Sequence, residues 1–325
     1  YDFNLNDILF KDEVLFNNMS IFFNMSSLLM KNITVSIGTR FEKSDFDNRV
    51  NVSPRTNIML ELPKQMGKII FNSGRYYQNP PEKYLGLVTD NILKSVYADQ
   101  YSLSYEKLLT ESTRLSISIY DKQYADAPTI YGAFDNSVSP AFLMDKNFTF
   151  YNIISEGTAT ANGVELLIEK KRAENVYGHI GGRLFNSTYI DYTGMKRNRD
   201  SNYKYIFNIV GGYRPSNKYE LSIRWSLFGG KPYTSIDTLN SSLFNEPIYF
   251  NEHYNEDRTP VYHNLFIRYE YRKGYRICNV IAYIELWNAY NRKNIETYTW
   301  SNTTKNILET TYFSFIPVGG FEVEF

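Results

Sequence analysis

The stretch Lys218 to Phe228, which reads KYELSIRWSLF, decides the fold class of this chain. Apolar residues occupy every second position and share one face: Tyr219, Leu221, Ile223, Trp225 and Leu227. Polar residues lie between them and share the other face: Glu220, Ser222, Arg224 and Ser226. A period of two is that of a β-strand lying between an apolar and a polar environment.

The same alternation recurs along the 325 residues, and no stretch shows a helical repeat. It predicts about thirteen strands, with an error of a few residues at each boundary. The predicted strands are 17–30, 33–45, 54–64, 66–78, 95–109, 112–127, 157–171, 173–190, 201–214, 217–230, 258–273, 276–300 and 307–325. The chain is therefore predicted to be all-β.

The connections between these strands alternate in length. Short turns are expected at 31–32, 63–67, 110–111, 171–173, 214–217 and 273–274. Long polar loops are expected at 44–53, 79–94, 128–156, 190–201 and 230–257. Strict alternation places all the short turns at one edge and all the long loops at the other, as in an up-and-down antiparallel sheet.

Strand length and polarity favour a transmembrane β-barrel over a soluble β-rich protein. Soluble strands have about 5–6 residues, whereas a tilted strand that spans a bilayer needs about 9–11. The apolar faces end in tyrosines such as Tyr203, Tyr219, Tyr269 and Tyr271, while the other faces carry charged and polar residues. An apolar outside with aromatic ends and a polar inside is the inverse of a soluble barrel. The prediction is an antiparallel transmembrane β-barrel.

Composition excludes several other classes of protein. Lysine and arginine number 35 against 35 aspartates and glutamates, so nothing in the charge balance favours a nucleic-acid partner. One cysteine, Cys278, excludes an intramolecular disulfide and a multi-cysteine metal site. No apolar run reaches the roughly 18 residues of a membrane helix. Aromatic residues make up 17% of the chain, which favours β-structure or an apolar environment.

Thirteen strands do not close a barrel, because single-chain bacterial barrels have an even number of strands and no free edge. No export signal is visible at the start of the sequence. We therefore expect the C-terminal part of a longer polypeptide, with a barrel built from two chains as the less usual alternative.

Several motifs resemble those of the TonB-dependent outer-membrane receptors, particularly the Bacteroidetes type with carboxypeptidase-regulatory-like or SusC-like relatives. In the last third they are FGGKPYT at 228–234, RTPVY at 258–262, AYIELWNAYNRKN at 282–294 and IPVGGFEVEF at 316–325. Upstream they are SPR at 53–55, GRYYQNP at 74–80 and GVEL at 163–166. The 282–294 motif is similar to the N-x-x-N-x-x-N penultimate strand of that family.

This resemblance implies a 22-stranded barrel filled by an N-terminal plug, which imports a large or scarce solute with energy delivered by TonB. Residues 1–325 would then supply the last thirteen strands, without the plug and the early strands. The implied location is the outer membrane, and the implied partners are its lipid, the rest of the same barrel and the plug, and TonB through the N-terminal part. The barrel-assembly machinery and, in the SusC-like branch, a surface lipoprotein complete the set.

Three groups of residues are candidates for function. An aromatic C-terminal strand resembles the barrel-assembly signal and consists of Phe321, Val323 and Phe325. Charged residues on the polar faces are predicted to line the lumen wall: Arg40, Glu165, Arg224 and Arg268. Aromatic residues of loops 128–156 and 231–257 are predicted to stack on a glycan, peptide or siderophore: Tyr131, Phe134, Tyr233 and Tyr249.

The sequence predicts neither an enzyme nor a cofactor or metal site. His253 with Glu252, Glu256 and Asp257 in loop 251–258 is the nearest approach to a metal-ligand cluster, and solvated loop residues are the preferred interpretation. The alternative to an importer is a receptor-like barrel that serves as a structural or secretion-associated subunit of an outer-membrane complex. The soluble β-rich binding protein is a third, weaker alternative.

Overall fold

The computed structural model of this protein describes residues 17–44, 49–80, 93–130, 153–173, 175–191 and 194–324. The first eight strands are β1 Asn18–Met30, β2 Ile33–Ser44, β3 Val50–Glu61, β4 Lys68–Gln78, β5 Val96–Thr110, β6 Thr113–Ile130, β7 Ile153–Ala173 and β8 Val176–Ile190. They are followed by β9 Lys196–Asn198, β10 Tyr205–Tyr213, β11 Tyr219–Phe228, β12 Pro232–Tyr233, helix α1 Thr238–Phe244 and β13 Asp257–Arg258. The last strands are β14 Tyr262–Gly274, β15 Asn279–Trp287, β16 Ile295–Ser301, β17 Asn306–Thr311 and β18 Ile316–Glu324. Two short 3-10 turns lie at Pro63–Gln65 and Asn251–His253.

Thirteen of these strands form one antiparallel path that follows the chain. Its order is β1-β2-β3-β4-β5-β6-β7-β8-β10-β11-β14-β15-β18. The short strand β9 lies off this path and pairs with β8. Short turns and long connections alternate along this path, which confirms the predicted up-and-down antiparallel sheet. In the described part of the chain, β1 pairs only with β2 and β18 only with β15, so the sheet is open at both ends.

One face of the sheet is apolar and uncovered. Apolar side chains on it are exposed, for example Ile21 at 57%, Ile180 at 50% and Phe321 at 83%. Among the described residues the buried apolar side chains are few: Leu93, Ala98, Ile236, Tyr254 and Ile281. A sheet of this size with so small a core stays dry on its apolar face only when another apolar phase covers it, as lipid does around a barrel.

The opposite face is polar and hydrogen-bonded from strand to strand. Ser36 donates to Ser26 across β1 and β2 at 2.8 Å. Asn57 donates to Asn72 at 2.6 Å, and Asn72 donates to Ser102 at 3.2 Å, which links β3, β4 and β5. Cross-strand pairs of this kind fix the register, because a slip of one residue exchanges the two faces.

The predicted strands 276–300 and 307–325 are wrong at their inner ends. β15 stops at Trp287, and β18 begins only at Ile316. Between them, β16 and β17 pair with each other in a separate two-stranded hairpin. The sequence of Ile295–Ser301 also alternates, so a loop hairpin has the same period as a strand of the wall. The long connection 288–315 was therefore missed.

Candidate functional site

Three long connections lie at the same edge of the sheet and fold against one another: 191–204, 229–261 and 288–315. β9 pairs back onto β8, β12 pairs with β13, and β16 pairs with β17. The three connections, called the loop cluster below, hold their backbone with side chains from neighbouring connections. None of the described helices is long and apolar enough to cross a membrane.

Arg197 joins two of the three connections of the loop cluster. Its side chain is buried and its Nε donates to Asp191 at 2.9 Å. Its Nη1 donates to the backbone carbonyl of Glu252 at 2.5 Å and lies 3.4 Å from the Glu256 carboxylate. Glu256 also lies 2.9 Å from His253 Nδ1. The predicted loop 251–258 thus contacts an arginine, and within the described residues no group of three His, Cys, Asp or Glu side chains is arranged to hold a metal.

A second set of contacts in the loop cluster uses amides and backbone carbonyls. Asn198 Nδ2 donates to the Asn255 carbonyl at 2.8 Å, and Asn255 Nδ2 donates to the Asn198 carbonyl at 3.1 Å. Arg258 Nη1 donates to the carbonyls of Asn202 at 2.5 Å and Gly230 at 2.9 Å. Burial lowers the pKa of Arg258, because desolvation penalises the charged form. These contacts fix the backbones of connections 191–204 and 229–261 against each other.

The two glycines of the FGG motif allow the cluster to close. A Cβ on Gly229 would lie 1.8 Å from the carbonyl oxygen of Tyr203. A Cβ on Gly230 would lie 2.0 Å from the carbonyl oxygen of Thr259. Both positions therefore exclude any larger side chain, because the neighbouring atoms are backbone.

The N-x-x-N-x-x-N motif follows β15 instead of lying within a strand, which corrects the interpretation of 282–294 as a strand motif. Asn288 and Asn291 have φ of 52° and 53°, a left-handed conformation that asparagine tolerates. Asn288 Nδ2 donates to the carbonyls of Arg292 and Phe313 at 2.9 and 3.2 Å. Asn294 accepts from the His263 amide at 3.2 Å and donates to the His263 carbonyl at 2.9 Å. The motif ties connection 288–315 to the start of β14.

The loop cluster encloses a pocket of about 130 Å³ between its three connections. Four of its lining residues are aromatic: Tyr203, Phe228, Tyr262 and Tyr312. Phe228 stacks on Tyr262 with ring centroids 5.1 Å apart, and Tyr262 meets Tyr312 edge to face at 5.2 Å. Phe228 and Tyr262 continue the alternation of the polar face, since they follow Arg224 and precede Phe266 by even steps. The pocket therefore lies at the loop end of the polar face.

Two charged residues of opposite sign, Lys231 and Glu296, also line the pocket. Within the residues that the structure describes, neither side chain forms an ion pair or a hydrogen bond. Burial first, and the nearby negative charge of Glu296 in part, raise the pKa of the Tyr203 and Tyr312 hydroxyls. The pocket thus combines apolar walls with unpaired charges, the usual composition of a small-molecule site.

The turn-side end of the same polar face is organised differently. Arg272 lies 3.1 Å from Glu220 and 2.5 Å from Glu270, while Arg268 lies 2.6 Å from Glu270 and 3.5 Å from Glu285. The carboxylates of Glu220 and Glu270 are each only 9% exposed. Each of these two buried carboxylates contacts at least two donors, as a charge removed from water requires.

Tyr177 joins this ion-pair network from two strands away. It lies over Gly212 of β10 and its hydroxyl donates to Glu220 of β11. A Cβ on Gly212 would lie 2.3 Å from the Tyr177 ring, whereas a Cβ on Gly211 would have no atom closer than 3.6 Å. Glycine at 212 is therefore required for the tyrosine to cross the strand.

The predicted lumen residues all lie on the polar face. Arg40 lies 2.9 Å from Glu42 on the same strand. Glu165 pairs in register with Arg183 of β8. The guanidinium of Arg224 lies 4.0 Å from the Phe266 ring centroid without an ion pair to any described residue, and Arg268 lies 4.0 Å from the ring of Tyr283. The structure thus places Arg268 in the ion-pair network and Arg224 above an aromatic ring.

Two of the four predicted loop aromatics lie within the described residues. Tyr233 lies on β12, with its ring 4.8 Å from the ring of Tyr298, and Tyr249 is 40% exposed and bridges to Ile236. Neither residue lines the pocket. Tyr131 and Phe134 lie outside the described residues, as does Phe325. Phe321 and Val323 lie on the apolar face of β18, opposite Ala282 and Val280.

Sequence reasoning missed the aromatic pocket. Its four aromatic residues come from two connections and from the loop ends of β11 and β14, and none was singled out as a ligand contact. Tyr203 and Phe228 are 25 positions apart in the sequence, and Tyr312 is a further 84 positions away. The usable signal was the adjacent Gly229-Gly230 pair, which indicates close backbone approach beside an aromatic residue.

Solved outer-membrane receptors share this fold. The chain matches the ferric-catecholate import receptor Fiu of Escherichia coli at 9% identity, covering 95% of this chain and 45% of that one, with a TM-score of 0.65. It matches the outer-membrane transporter YddB of Escherichia coli at 12% identity, with coverages of 95% and 44% and a TM-score of 0.65. It matches the ferripyoverdine receptor of Pseudomonas aeruginosa at 11% identity, with coverages of 95% and 38% and a TM-score of 0.66.

No protein-family model matches the chain, and no curated protein matches it either. The chain spans less than half the length of the three solved receptors. The shared fold is that of part of the barrel of these outer-membrane receptors and transporters.

Proposed function

We propose that this chain is the C-terminal barrel portion of an outer-membrane receptor that takes up a large or scarce solute with energy supplied through TonB. The observation that carries the proposal is the thirteen-strand antiparallel sheet with an uncovered apolar face and a polar face, matched along its path by import receptors. On this proposal the apolar face contacts outer-membrane lipid and the polar face lines the lumen around a plug.

The difference between the two ends of the polar face supports the assignment as a receptor. Near the short turns, the carboxylates of Glu220 and Glu270 are each paired with arginines of the same wall. The loop end instead carries a preformed pocket, and Arg224, midway along β11, has no carboxylate partner among the described residues. We propose that the loop cluster forms the outer vestibule where the solute first binds.

The open edges of β1 and β18 support a larger barrel. Among the described residues no further strand pairs with either edge, and a membrane barrel leaves no backbone group unpaired in lipid. On the proposal, the earlier strands of the same polypeptide pair with both edges. The Bacteroidetes affinity, the barrel-assembly role of Phe321, Val323 and Phe325, and the surface lipoprotein belong to this proposal as well.

Uptake by intact cells tests the function. A strain without the gene for the complete polypeptide, a strain without TonB and the parent would be grown on the same medium, and the solutes remaining would be identified by mass spectrometry. The proposal predicts at least one solute, an iron chelate, glycan or peptide, that only the parent removes. Equal removal by all three strains would contradict import and would favour the structural or secretion-associated subunit.

The vestibule assignment has its own test. Deletion of loop 231–257 is expected to lower the affinity for the imported solute, and an unchanged affinity would overturn the assignment. Because that loop is interlocked through Arg197 and Asn198, the deletion also loosens its neighbours. A single substitution, Arg224→Met, lies outside the loop cluster and removes only the cation above Phe266.

A further inference from the structure

The pocket of the loop cluster combines aromatic walls with two charged side chains that do not pair with each other. Its walls are aromatic, and it carries one cationic and one anionic side chain. In the described residues, no ion pair or side-chain hydrogen bond satisfies Lys231 or Glu296. Opposite charges that line one pocket without pairing are available to a ligand that carries both signs.

From this arrangement we infer that the pocket binds a small zwitterion, namely an α-amino acid group with its ammonium and carboxylate on one carbon. Glu296 contacts the ammonium, Lys231 contacts the carboxylate, and the rings of Tyr203, Tyr262 and Tyr312 surround the remaining carbon atoms. The inference deepens the proposed function, on which it rests, by naming the chemistry of one part of the solute.

The aromatic rings favour the ammonium half of such a group. An ammonium near the face of a tyrosine is attracted by the ring quadrupole, in addition to any carboxylate partner. Glu296 lines the same pocket as the rings of Tyr203 and Tyr312, and its negative charge contributes to the raised pKa of both hydroxyls. Lys231 comes from a different connection, because it follows the Gly229-Gly230 pair while Glu296 lies on β16.

The size of the pocket suits this group. A cavity of about 150 Å³ holds one benzene molecule, and the pocket here has about 130 Å³. The ammonium, central carbon and carboxylate of an amino acid together contain about five non-hydrogen atoms, with a short side chain filling the remainder. The pocket walls are held by Arg258, Gly229 and Gly230, so the site is preformed.

Three small molecules that share a branched isobutyl unit and differ in their charged groups test the inference. L-valine carries both charges, isobutylamine carries only the ammonium, and 3-methylbutanoate carries only the carboxylate. Binding of each to the complete polypeptide, purified in detergent, is measured by ligand-observed saturation-transfer NMR with increasing ligand concentration. The expected result is saturable valine binding, roughly tenfold tighter than that of either single-charge molecule.

Two variants assign the charges. Glu296→Gln is expected to reduce valine to the affinity of 3-methylbutanoate, and Lys231→Met to reduce it to that of isobutylamine. Glu309→Gln on the same hairpin is the matched control, because Glu309 pairs with Lys293 outside the pocket. The control is expected to bind valine as the unmodified protein does.

Three results would overturn the inference: no saturable valine binding, equal binding of valine and isobutylamine, or the same loss with Glu309→Gln as with Glu296→Gln. Failure of the inference is separable from failure of the proposed function, since binding is measured without uptake. If cells import a solute but the purified protein does not bind valine, the proposed function stands and only the zwitterion site is overturned.

Discussion

The two ends of the polar face satisfy their charges in different ways. Near the short turns, Glu220 and Glu270 are nearly buried and are held by Arg268, Arg272 and Tyr177. Near the loops, Lys231 and Glu296 line a pocket without partners among the described residues. The carboxylates near the short turns are thus paired within the wall, whereas two charges beside the loops have no partner among the described residues, and on our proposal these two meet the solute.

The largest expected effect is at the scaffold of the loop end. Arg197→Met leaves Asp191 buried without its arginine, and removing one partner of a buried ion pair costs about 3–5 kcal/mol. We expect hydrogen exchange of the β9 amides to accelerate by the corresponding factor, because the loop cluster opens. Arg276→Met in the exposed turn before β15 is the control and is expected to leave that exchange unchanged. Unaltered exchange in Arg197→Met would mean that the cluster does not depend on this residue.

The second-largest effect is expected in the ion-pair network near the short turns. Glu270→Gln weakens the contacts of Arg268 and Arg272, and we expect a loss of about 2–3 kcal/mol in the free energy of unfolding. Glu169→Gln is the matched control, since its pair with Arg114 is more than two-fifths exposed and is worth less than about 1 kcal/mol. Urea titration of the protein in phospholipid vesicles measures both. Equal losses would show that the turn-end network is not a buried one.

A smaller effect is expected where Tyr177 crosses β10. Gly212→Ala places a methyl group against the Tyr177 ring and displaces its hydroxyl from Glu220, at a cost of about 1–2 kcal/mol. Gly211→Ala, on the other face of the same strand, is expected to be close to neutral. In a Tyr177→Phe background the cost of Gly212→Ala should fall if the hydrogen bond carries it. A loss unchanged in that background would assign the cost to packing alone.

The smallest effect is a pH dependence in the loop cluster. Asp237 caps helix α1 by accepting from the Asn240 amide at 3.0 Å, and this hydrogen bond lowers the pKa of its carboxyl below the ordinary value of 3.8. A lowered pKa means that the cap stabilises the helix above the ordinary value and is lost as the pH falls through the lowered one. We expect protection of the Asn240 amide, corrected for intrinsic exchange, to decrease at those acidic pH values. Asp237→Ser keeps a cap that does not titrate, so its protection should stay constant.

The wall of the sheet was predictable because each strand separates two environments. The parity of KYELSIRWSLF alone assigns Arg224 to the polar face, where it pairs in register with Phe266. The boundary error at 276–300 has a physical cause as well. Asn288 and Asn291 turn the chain through left-handed conformations, and the turn is held by hydrogen bonds to Phe313 and Phe315, which are far away in the sequence.

The pocket was not predictable from the sequence. It depends on the approach of Tyr203, Tyr262 and Tyr312, which come from connection 191–204, from the start of β14 and from connection 288–315. Their proximity follows from contacts such as Arg258 with the Asn202 and Gly230 carbonyls. The Gly229-Gly230 pair indicates a close backbone approach without naming its partners, and no period encodes those contacts, whereas the alternation of a strand is encoded locally.

The central claim is that the apolar face meets lipid and the polar face meets water. Single cysteines at Ser222 and Ile223, adjacent on β11 and in a Cys278→Ser background, test it directly. In outer-membrane vesicles containing the complete polypeptide, we expect a fluorophore at position 223 to be quenched by brominated lipid and one at 222 to be quenched by aqueous iodide. Iodide quenching at both positions, or lipid quenching at 222 alone, would contradict the account.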